Sequence, residues 1–299
     1  MKSLFKQRHV DGIRLADEAD LRKRNGLDIG DQLRQRIAMA EQLLPGELIL
    51  YRWIPSGHIN TAYYVALYDG REVRQYIAQM VNQYVFKDPV AVMRNIDLVT
   101  GYIMDAEPTL ERRRRLHFHH TEDGSNFLFI NENGDSEFWR LYNYIENSKS
   151  FEFFEGNREI LYKSGKAFGK FLRQLRDFDA KMLTESIPHF HDTRFRLETF
   201  EKDVAADPLG RAAEVKDEIA FILDNRDFAC TLCRQIDNGE LPIRVTHNDT
   251  KTNNILFDKD TLEPLVIIDL DTCMPGLAAY DFGDAVRSSA CTTEEDERN

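Results

Sequence analysis

The hydrophobic pattern of this chain changes period once, and that change limits the folds open to it. Up to about Ile145 the apolar residues come in short runs rich in Tyr, Val, Ile and Leu. After Asn147 they recur at helical spacing. Glu47–Trp53, Thr61–Tyr68 and Val73–Met80 read as strands, parted by the turn signals Pro55-Ser56-Gly57 and Asp69-Gly70. They predict an antiparallel meander. Asp88-Pro89 opens a helix of about four turns, with Val92, Ile96 and Val99 on one face. More strands are expected near Leu116–His120, Asn126–Ile130 and Phe138–Ile145, with turns at Asp123-Gly124 and Asn133-Gly134. Beyond them, Arg158–Phe178 carries Leu161, Phe168, Leu172 and Leu175 at helical spacing, and a further helix is predicted over Ala213–Ile236. Only Leu241–Thr246 and Leu265–Leu270 break the helical pattern.

The expected molecule is therefore α+β and two-lobed, with a small-molecule cleft between the lobes. Gly30–Leu44, with Leu33, Ile37, Ala40 and Leu44 on one face, adds a helix ahead of the first strand. The domain organisation this implies is a partly helical extension over 1–46, a sheet lobe over 47–146 and a helical lobe over 147–299.

Composition narrows the function classes. Apolar residues make up 42% and charged residues 30% of the 299, a balance that supports a packed core. The net charge of -12 works against binding nucleic acid or an anionic membrane face. No apolar run is long enough to span a bilayer, and the charged N-terminus lacks the apolar stretch of a secretory signal, so a cytoplasmic location is expected. The basic run Arg112-Arg113-Arg114-Arg115 reads as a solvated turn leading into a strand. Four cysteines are present. Cys230 and Cys233 have metal or redox spacing, but no second close pair accompanies them and their segment looks helical. They read as reduced packing residues.

The chemistry lies between the two breaks in the helical pattern. Val245-Thr246-His247-Asn248-Asp249-Thr250-Lys251-Thr252-Asn253-Asn254-Ile255-Leu256-Phe257 runs from an apolar segment through His-x-Asp, reaches an Asn five positions after the Asp, and becomes apolar again. That is the catalytic-loop spacing of kinases. Phosphoryl transfer needs a carboxylate beside the attacking hydroxyl, and Asp249 supplies one. It also needs hard oxygen ligands for magnesium, such as an Asn or Asp side chain. Val266-Ile267-Ile268-Asp269-Leu270-Asp271 follows, with Asp269 ending an apolar strand where the second metal ligand of a kinase should sit. Asp271 would share its face if the strand continued, and would then bind metal directly or accept a hydrogen bond just outside it. Lys251 could bring positive charge to the transferred group. His247 is expected to brace the loop, and Asp281, in Tyr280-Asp281-Phe282-Gly283-Asp284, to tie it to the following helix.

At these residues the chain resembles the aminoglycoside phosphotransferase and choline kinase superfamily, in HNDTKTNNILFD, IIDLD and YDFGD. The likeness extends to SGHINTAY (Ser56–Tyr63), QMVNQYVFKDPVAVMRNIDLVT (Gln79–Thr100), WRLYNYIE (Trp139–Glu146) and HFHDT (His189–Thr193). There it is similar to bacterial N-acetylhexosamine 1-kinases, which phosphorylate the anomeric hydroxyl of GlcNAc or GalNAc with ATP. The resemblance implies a protein-kinase-like fold, with an N-lobe of antiparallel sheet plus a helix and a mostly helical C-lobe. It implies ATP as co-substrate, Mg2+, and a sugar acceptor. It makes Asp249 the catalytic base and Asn254 and Asp269 the metal ligands. It puts His58 against the sugar, Gly57 near the phosphates, and the backbone of Tyr144, Ile145 and Glu146 against adenine. Kinases for other small alcohols, aminoglycoside- or choline-like, share these motifs. So would a catalytically impaired fragment that only binds nucleotide.

Three departures accompany the likeness. The strand Tyr76-Ile77-Ala78-Gln79-Met80 has no phosphate-binding lysine, although the sugar kinases also tend to have glutamine there. The first forty-odd residues extend beyond the match. The sequence ends at Asn299, before the further helices that in family members supply part of the sugar pocket, so either a fragment or an incomplete acceptor site is expected.

Overall fold

The computed structural model describes residues 47–55, 59–132, 135–151 and 157–290. The helix expected over Gly30–Leu44 and the site residues Gly57 and His58 lie outside them.

Five strands form one antiparallel sheet: β1 (Glu47–Ile54), β2 (Thr61–Tyr68), β3 (Val73–Val81), β4 (Leu128–Glu132) and β5 (Asp135–Asn143), in the order β1-β2-β3-β5-β4. Helix α1 (Pro89–Ala106) is inserted between β3 and β4. It starts where Asp88 accepts the Ala91 N–H and Pro89, lacking an N–H, takes the first turn. The expected face Val92, Ile96 and Val99, joined by Met93, is fully buried.

The alternation along β5 divides the packing. Trp139 and Leu141 join Tyr63, Val65, Leu67, Tyr76 and Ala78 in a cluster on one face. Phe138 and Tyr142 join α1 and the second lobe in the main core on the other. Arg140 shares that second face, and a buried charge there needs a partner.

The second lobe holds α2 (Arg158–Gln174), α3 (Thr193–Ala206), α4 (Lys216–Asp224), α5 (Arg226–Ala229), α6 (Thr231–Asp237) and α7 (Ala278–Ala290). Its short strands β6 (Ser148–Lys149), β8 (Ile255–Asp258) and β9 (Pro264–Ile267) pair in the order β6-β8-β9, while β7 (Arg244–Thr246) pairs with β10 (Met274–Gly276). Ile160, Phe168, Phe171 and Leu175 carry α2 and the turn after it into the core against Ile255, Phe257 and Leu270. Gly276 is required where β10 meets β7, because a Cβ there would collide with Thr246 Oγ1.

Several expectations need correction. Leu116–His120 forms no strand, only an isolated bridge from Phe118 to Tyr142. Asn143 explains why, since its side chain accepts the His117 N–H at 2.7 Å and donates to the Arg115 carbonyl at 3.0 Å, replacing ladder bonds. The arginines before it form the expected turn, a 3-10 turn over Arg112–Arg114 with none of them buried, but two of them are tied down. Arg113 donates to the Glu146 and Asn147 carbonyls and to the Asp258 carboxylate, tethering the lobe connection, and Arg114 donates to the Pro264 carbonyl at the start of β9. The helix expected over Ala213–Ile236 is a 3-10 turn at Ala212–Val215 followed by α4, α5 and α6. Asn225 breaks it near φ -97° and ψ 8°, with its side chain donating to the Phe221 carbonyl, and Cys230 breaks it again. The strand expected over Leu265–Leu270 stops at Ile267, because Asp269 turns left-handed at φ 59°.

Candidate active site

β7 delivers the chain into a loop fastened from below. His247 is fully buried. Its Nδ1 accepts the Asp249 N–H at 3.3 Å, so Nε2 carries the proton and donates to the Ile268 carbonyl at 3.1 Å. Phe168 and Phe171 present their rings at steep angles to the imidazole, with centroids at 5.4 and 5.8 Å. Asp281, in the first turn of α7, accepts the His247 and Asn248 N–H groups at 3.0 and 2.7 Å. Burial raises its pKa, and the two donors oppose that. Asp284 accepts the Thr250 N–H at 2.6 Å, and Thr272 donates to the His247 carbonyl at 2.7 Å. These bonds hold Asn248 left-handed at φ 64°, a conformation Asn tolerates better than most residues.

Asp249 stands above this floor, partly open to solvent. The Asn254 amide donates to Asp249 Oδ2 at 2.8 Å and to the Asp249 carbonyl at 2.9 Å. The Lys251 ammonium is 3.4 Å from Asp249 Oδ1. Ile268 N–H donates to the Asn254 carbonyl at 2.9 Å, which draws the end of β9 against the loop. Asp269 therefore faces the same cleft. Loss of hydration among surrounding protein, then the charges of Asp271 and Asp249, raise its pKa to about 7. The Asp269 side chain still reaches water, and the convergence of three carboxylates gives the direction its physical sense.

Asp271 lies elsewhere than continued strand geometry would put it. It is buried in the 3-10 turn Leu270–Thr272, and the first lobe holds both its oxygens. Arg140 Nη1 is 2.5 Å from Oδ1, and Asn60 Nδ2 donates to Oδ2 at 2.6 Å. Arg140 Nε and Nη2 both donate to Gln79 Oε1, at 2.9 and 2.6 Å. Sequence reasoning named Asp271, as a metal ligand or a hydrogen-bond acceptor beside one, and missed its partners Asn60 and Arg140. Their one legible sign is a lone arginine between apolar neighbours in Phe138-Trp139-Arg140-Leu141-Tyr142. Asp284, equally missed, sits within the singled-out YDFGD segment.

The lobe connection runs through Tyr144, Ile145 and Glu146. The Tyr144 N–H donates to the Gln75 carbonyl at 3.2 Å, and the Ile145 carbonyl accepts from Ser148 at 2.6 Å. On the far side of the loop, a cavity of about 290 Å3 is lined by Glu185, His189, His191, Asp192, Asn248 and Tyr280, among others. His191 Nε2 lies 3.1 Å from the Asn248 carbonyl, so the HFHDT segment meets the loop itself.

The family model described as "Phosphotransferase enzyme family" matches residues 51–298, which include every element named above except the start of β1. The chain belongs to this phosphotransferase family. Among solved structures, an amicoumacin kinase in complex with AMP-PNP, Ca2+ and Ami aligns with a TM-score of 0.55 at 13% identity, covering 94% of this chain and 75% of that one. This likeness establishes the kinase-like fold. A microcompartment-associated aminopropanol kinase also matches, at TM-score 0.49 and 14% identity, covering 86% of this chain and 74% of that one. So does a Plasmodium vivax ethanolamine kinase, at 0.47 and 13%, covering 98% of this chain and 76% of that one.

The donor set fits the divalent ion expected in a phosphotransferase. Among the described residues, no three His, Cys, Asp or Glu side chains could cage a metal alone. A single carboxylate, Asp269, and the amide oxygen of Asn254 suit a magnesium ion that takes its other ligands from water and substrate phosphates. With the Asn254 amide nitrogen turned to Asp249, its oxygen points away from that carboxylate. Among the described residues, no helix is long and apolar enough to cross a membrane.

Proposed function

We propose that the protein transfers the terminal phosphoryl group of ATP, with Mg2+, to a small-molecule alcohol, and that the acceptor is the anomeric hydroxyl of an N-acetylhexosamine. The observation that carries the reading is the convergence of Asp249, Asn254 and Asp269 on one cleft, with Asp249 held at its backbone and at one oxygen. In this reading Asp249 receives the acceptor proton as the acceptor oxygen bonds to phosphorus and the bond to the ADP oxygen breaks. Asn254 keeps the carboxylate aligned and shares the metal with Asp269. Magnesium, when bound, would offset the phosphate charge. Lys251 keeps a positive charge beside the base. The connection Tyr144–Glu146 would meet adenine. Gly57 and His58 keep their proposed places near phosphate and sugar, as do the lobe boundary near residue 146 and a cytoplasmic location.

The sugar rests on the likeness of SGHINTAY, HFHDT and the 139–146 segment to N-acetylhexosamine 1-kinases. The polar cavity lined by HFHDT supports it. An amino-alcohol or aminoglycoside acceptor is the second reading, favoured by Glu185, Asp192 and Asp237 around that cavity. All three acids already have partners, Glu185 accepting the His189 N–H at 3.4 Å. Asp192 caps α3 through the Arg194 and Phe195 N–H groups, and Asp237 pairs with Arg194. A neutral acceptor rich in hydroxyls is therefore the better fit.

The test is incubation with ATP, Mg2+ and a panel of hexosamines, amino alcohols and aminoglycosides, read by phosphorus NMR. An anomeric sugar phosphate is expected. Product from cationic acceptors alone would overturn the sugar assignment, and nucleotide binding without transfer to any acceptor would overturn the enzyme reading.

A further inference from the structure

The buried group Asn60, Gln79, Arg140 and Asp271 joins three parts of the cleft that are far apart in sequence. Asn60 closes the β1–β2 connection, Gln79 and Arg140 face each other across β3 and β5, and Asp271 lies two residues past Asp269. Asp271 has 1% of its surface exposed and Arg140 2%. Asn60 works with both ends of its amide. Nδ2 holds Asp271 Oδ2 at 2.6 Å, and Oδ1 accepts the Asn82 N–H at 2.9 Å. Asn82 in turn donates to the Ile59 carbonyl at 3.1 Å. The end of the β1–β2 connection is thus pinned on one side to the end of β3 and on the other to the second lobe.

A bare salt bridge between lobes would not need this construction. Arg140 spends two donors on one oxygen of Gln79, which fixes the plane of its guanidinium and aims Nη1 at Asp271. Gln79 stands at the strand position where many kinases carry a phosphate-binding lysine. Here that position orients an arginine that neutralises one of three clustered acids, Asp249, Asp269 and Asp271. With both oxygens of Asp271 engaged, Asp269 is the carboxylate of that strand end left facing the cleft.

We propose that Asn60, Gln79, Arg140 and Asp271 form a positioning network that locks the two lobes at one separation, and that it fixes where the entry to β2, at Ile59 and Asn60, and Asp269 stand relative to each other around a metal–nucleotide complex. The inference rests on the nucleotide-dependent reading above. None of the four touches the reacting atoms. Their effect reaches the site through backbone position, so it falls on binding of the metal–nucleotide complex rather than on the acceptor. Asn60 is the sharpest probe, because Asn60→Ala leaves the Arg140–Asp271 charge pair in place. Loss of one charge-assisted hydrogen bond in a network of this kind corresponds to roughly a tenfold change in an equilibrium constant.

The experiment measures binding of a fluorescent ADP analogue, with and without Mg2+, to the full chain and to Asn60→Ala, Arg140→Lys and the double variant Arg140→Met/Asp271→Asn. The double variant avoids leaving a lone buried charge, which would obstruct folding. Wild type is expected to bind in the presence of Mg2+. Asn60→Ala and the double variant are expected to bind about tenfold more weakly with Mg2+ and to lose less without it. Arg140→Lys, which keeps the charge but loses the fork, should fall between them and wild type. Thermal midpoints without ligand should be non-additive for Asn60→Ala combined with Asp271→Asn. Wild-type affinity in Asn60→Ala and the double variant would overturn the network's role and leave it a structural staple. Equal loss with and without Mg2+ would also overturn it. If the wild type itself fails to bind the nucleotide, the nucleotide-dependent reading falls instead.

Discussion

The loop from Val245 to Phe257 and the helical arc from Ala212 to Asp237 are neighbouring stretches of one lobe, and they are built on opposite terms. In the loop, Thr246, His247, Asn248, Thr250, Thr252 and Asn254 are buried polar residues, and the hydrogen bonds come from far along the chain, from Asp281, Asp284, Thr272 and Ile268. In the arc, the only buried residue is Cys233, while Phe221 is 69% and Phe228 81% exposed. The loop gains rigidity from specific partners for its left-handed Asn248 and most of its buried polar groups, which is what pre-aligned catalysis requires. The arc has local helix bonds and little else. Changes at the loop should therefore act through function or through unpaired buried groups, and changes in the arc away from the cavity lined by Cys233, Ile236 and Asp237 should do little.

The largest expected effect is at the tip of the loop. Asp249→Asn should lower turnover by about two to four orders of magnitude while leaving the thermal midpoint near that of the wild type, since the group is partly exposed. Steady-state kinetics with the acceptor found by NMR, together with calorimetry, would test this. A large fall in stability would mean the loop depends on its tip and would break the contrast.

Beneath the tip, Asp281→Ala leaves the His247 and Asn248 N–H groups buried without an acceptor. Each unsatisfied donor costs about 1–3 kcal/mol, so the loss of stability should exceed that of any single substitution in the arc. Denaturant unfolding measures it, and Asp281→Asn, which keeps one acceptor oxygen, should fall between. Gly276→Ala comes next, at about 1–3 kcal/mol, because the new methyl group must displace Thr246, whose hydroxyl also bonds Asn248 and the Met274 carbonyl.

Asp269 gives the comparison a pH dependence. Its folded pKa lies above the ordinary carboxylate range in the metal-free protein, so between about pH 4 and pH 7 the folded state holds a proton that the unfolded state has lost. Stability then falls as pH rises through this window. Asp269→Asn should remove the penalty, raising the metal-free thermal midpoint at pH 8 relative to wild type by on the order of 2–4 °C, with little difference at pH 4. If Asp269 holds the metal as proposed, Mg2+ with nucleotide should raise the wild-type midpoint more than that of this variant. A variant equally stable or less stable at pH 8 would show that carboxylate crowding does not strain this cleft.

How much of this could be read from sequence follows from the distance between partners. The strands β1 to β3 were legible because alternation and turn residues act within a few positions, and α1 because its cap and apolar face lie in one window. The loop was legible because Asp249, Asn254 and Asp269 lie within one short stretch. Asp271 does not share the face of Asp269 because the left-handed turn at Asp269 ends the strand, and no local pattern announces that turn. Arg140 and Asn60 were missed because their partner lies 131 and 211 residues away. The arc was misjudged for the converse reason. Its periodicity is good enough for one long helix, and the breaks are local, at Asn225, whose side chain bonds the Phe221 carbonyl, and at Cys230.

That division sets up the smallest predicted effect. Phe228 sits in the four-residue helix α5 with its ring in solvent, so Phe228→Ser removes almost no buried apolar area. The change should alter unfolding free energy by less than about 0.5 kcal/mol and leave phosphoryl transfer untouched. The pairing with Asp281→Ala matters more than either result alone. Both sites are in the same lobe, yet one substitution removes a small buried group and the other a large exposed one. If size governed the outcome, Phe228→Ser would cost more, since an aromatic ring outweighs a carboxylate in apolar area. If satisfaction of buried donors governs it, the order is reversed by several-fold. Chemical denaturation of the two variants side by side decides between them, and equal losses would mean that the arc is packed in solution as firmly as the loop it borders.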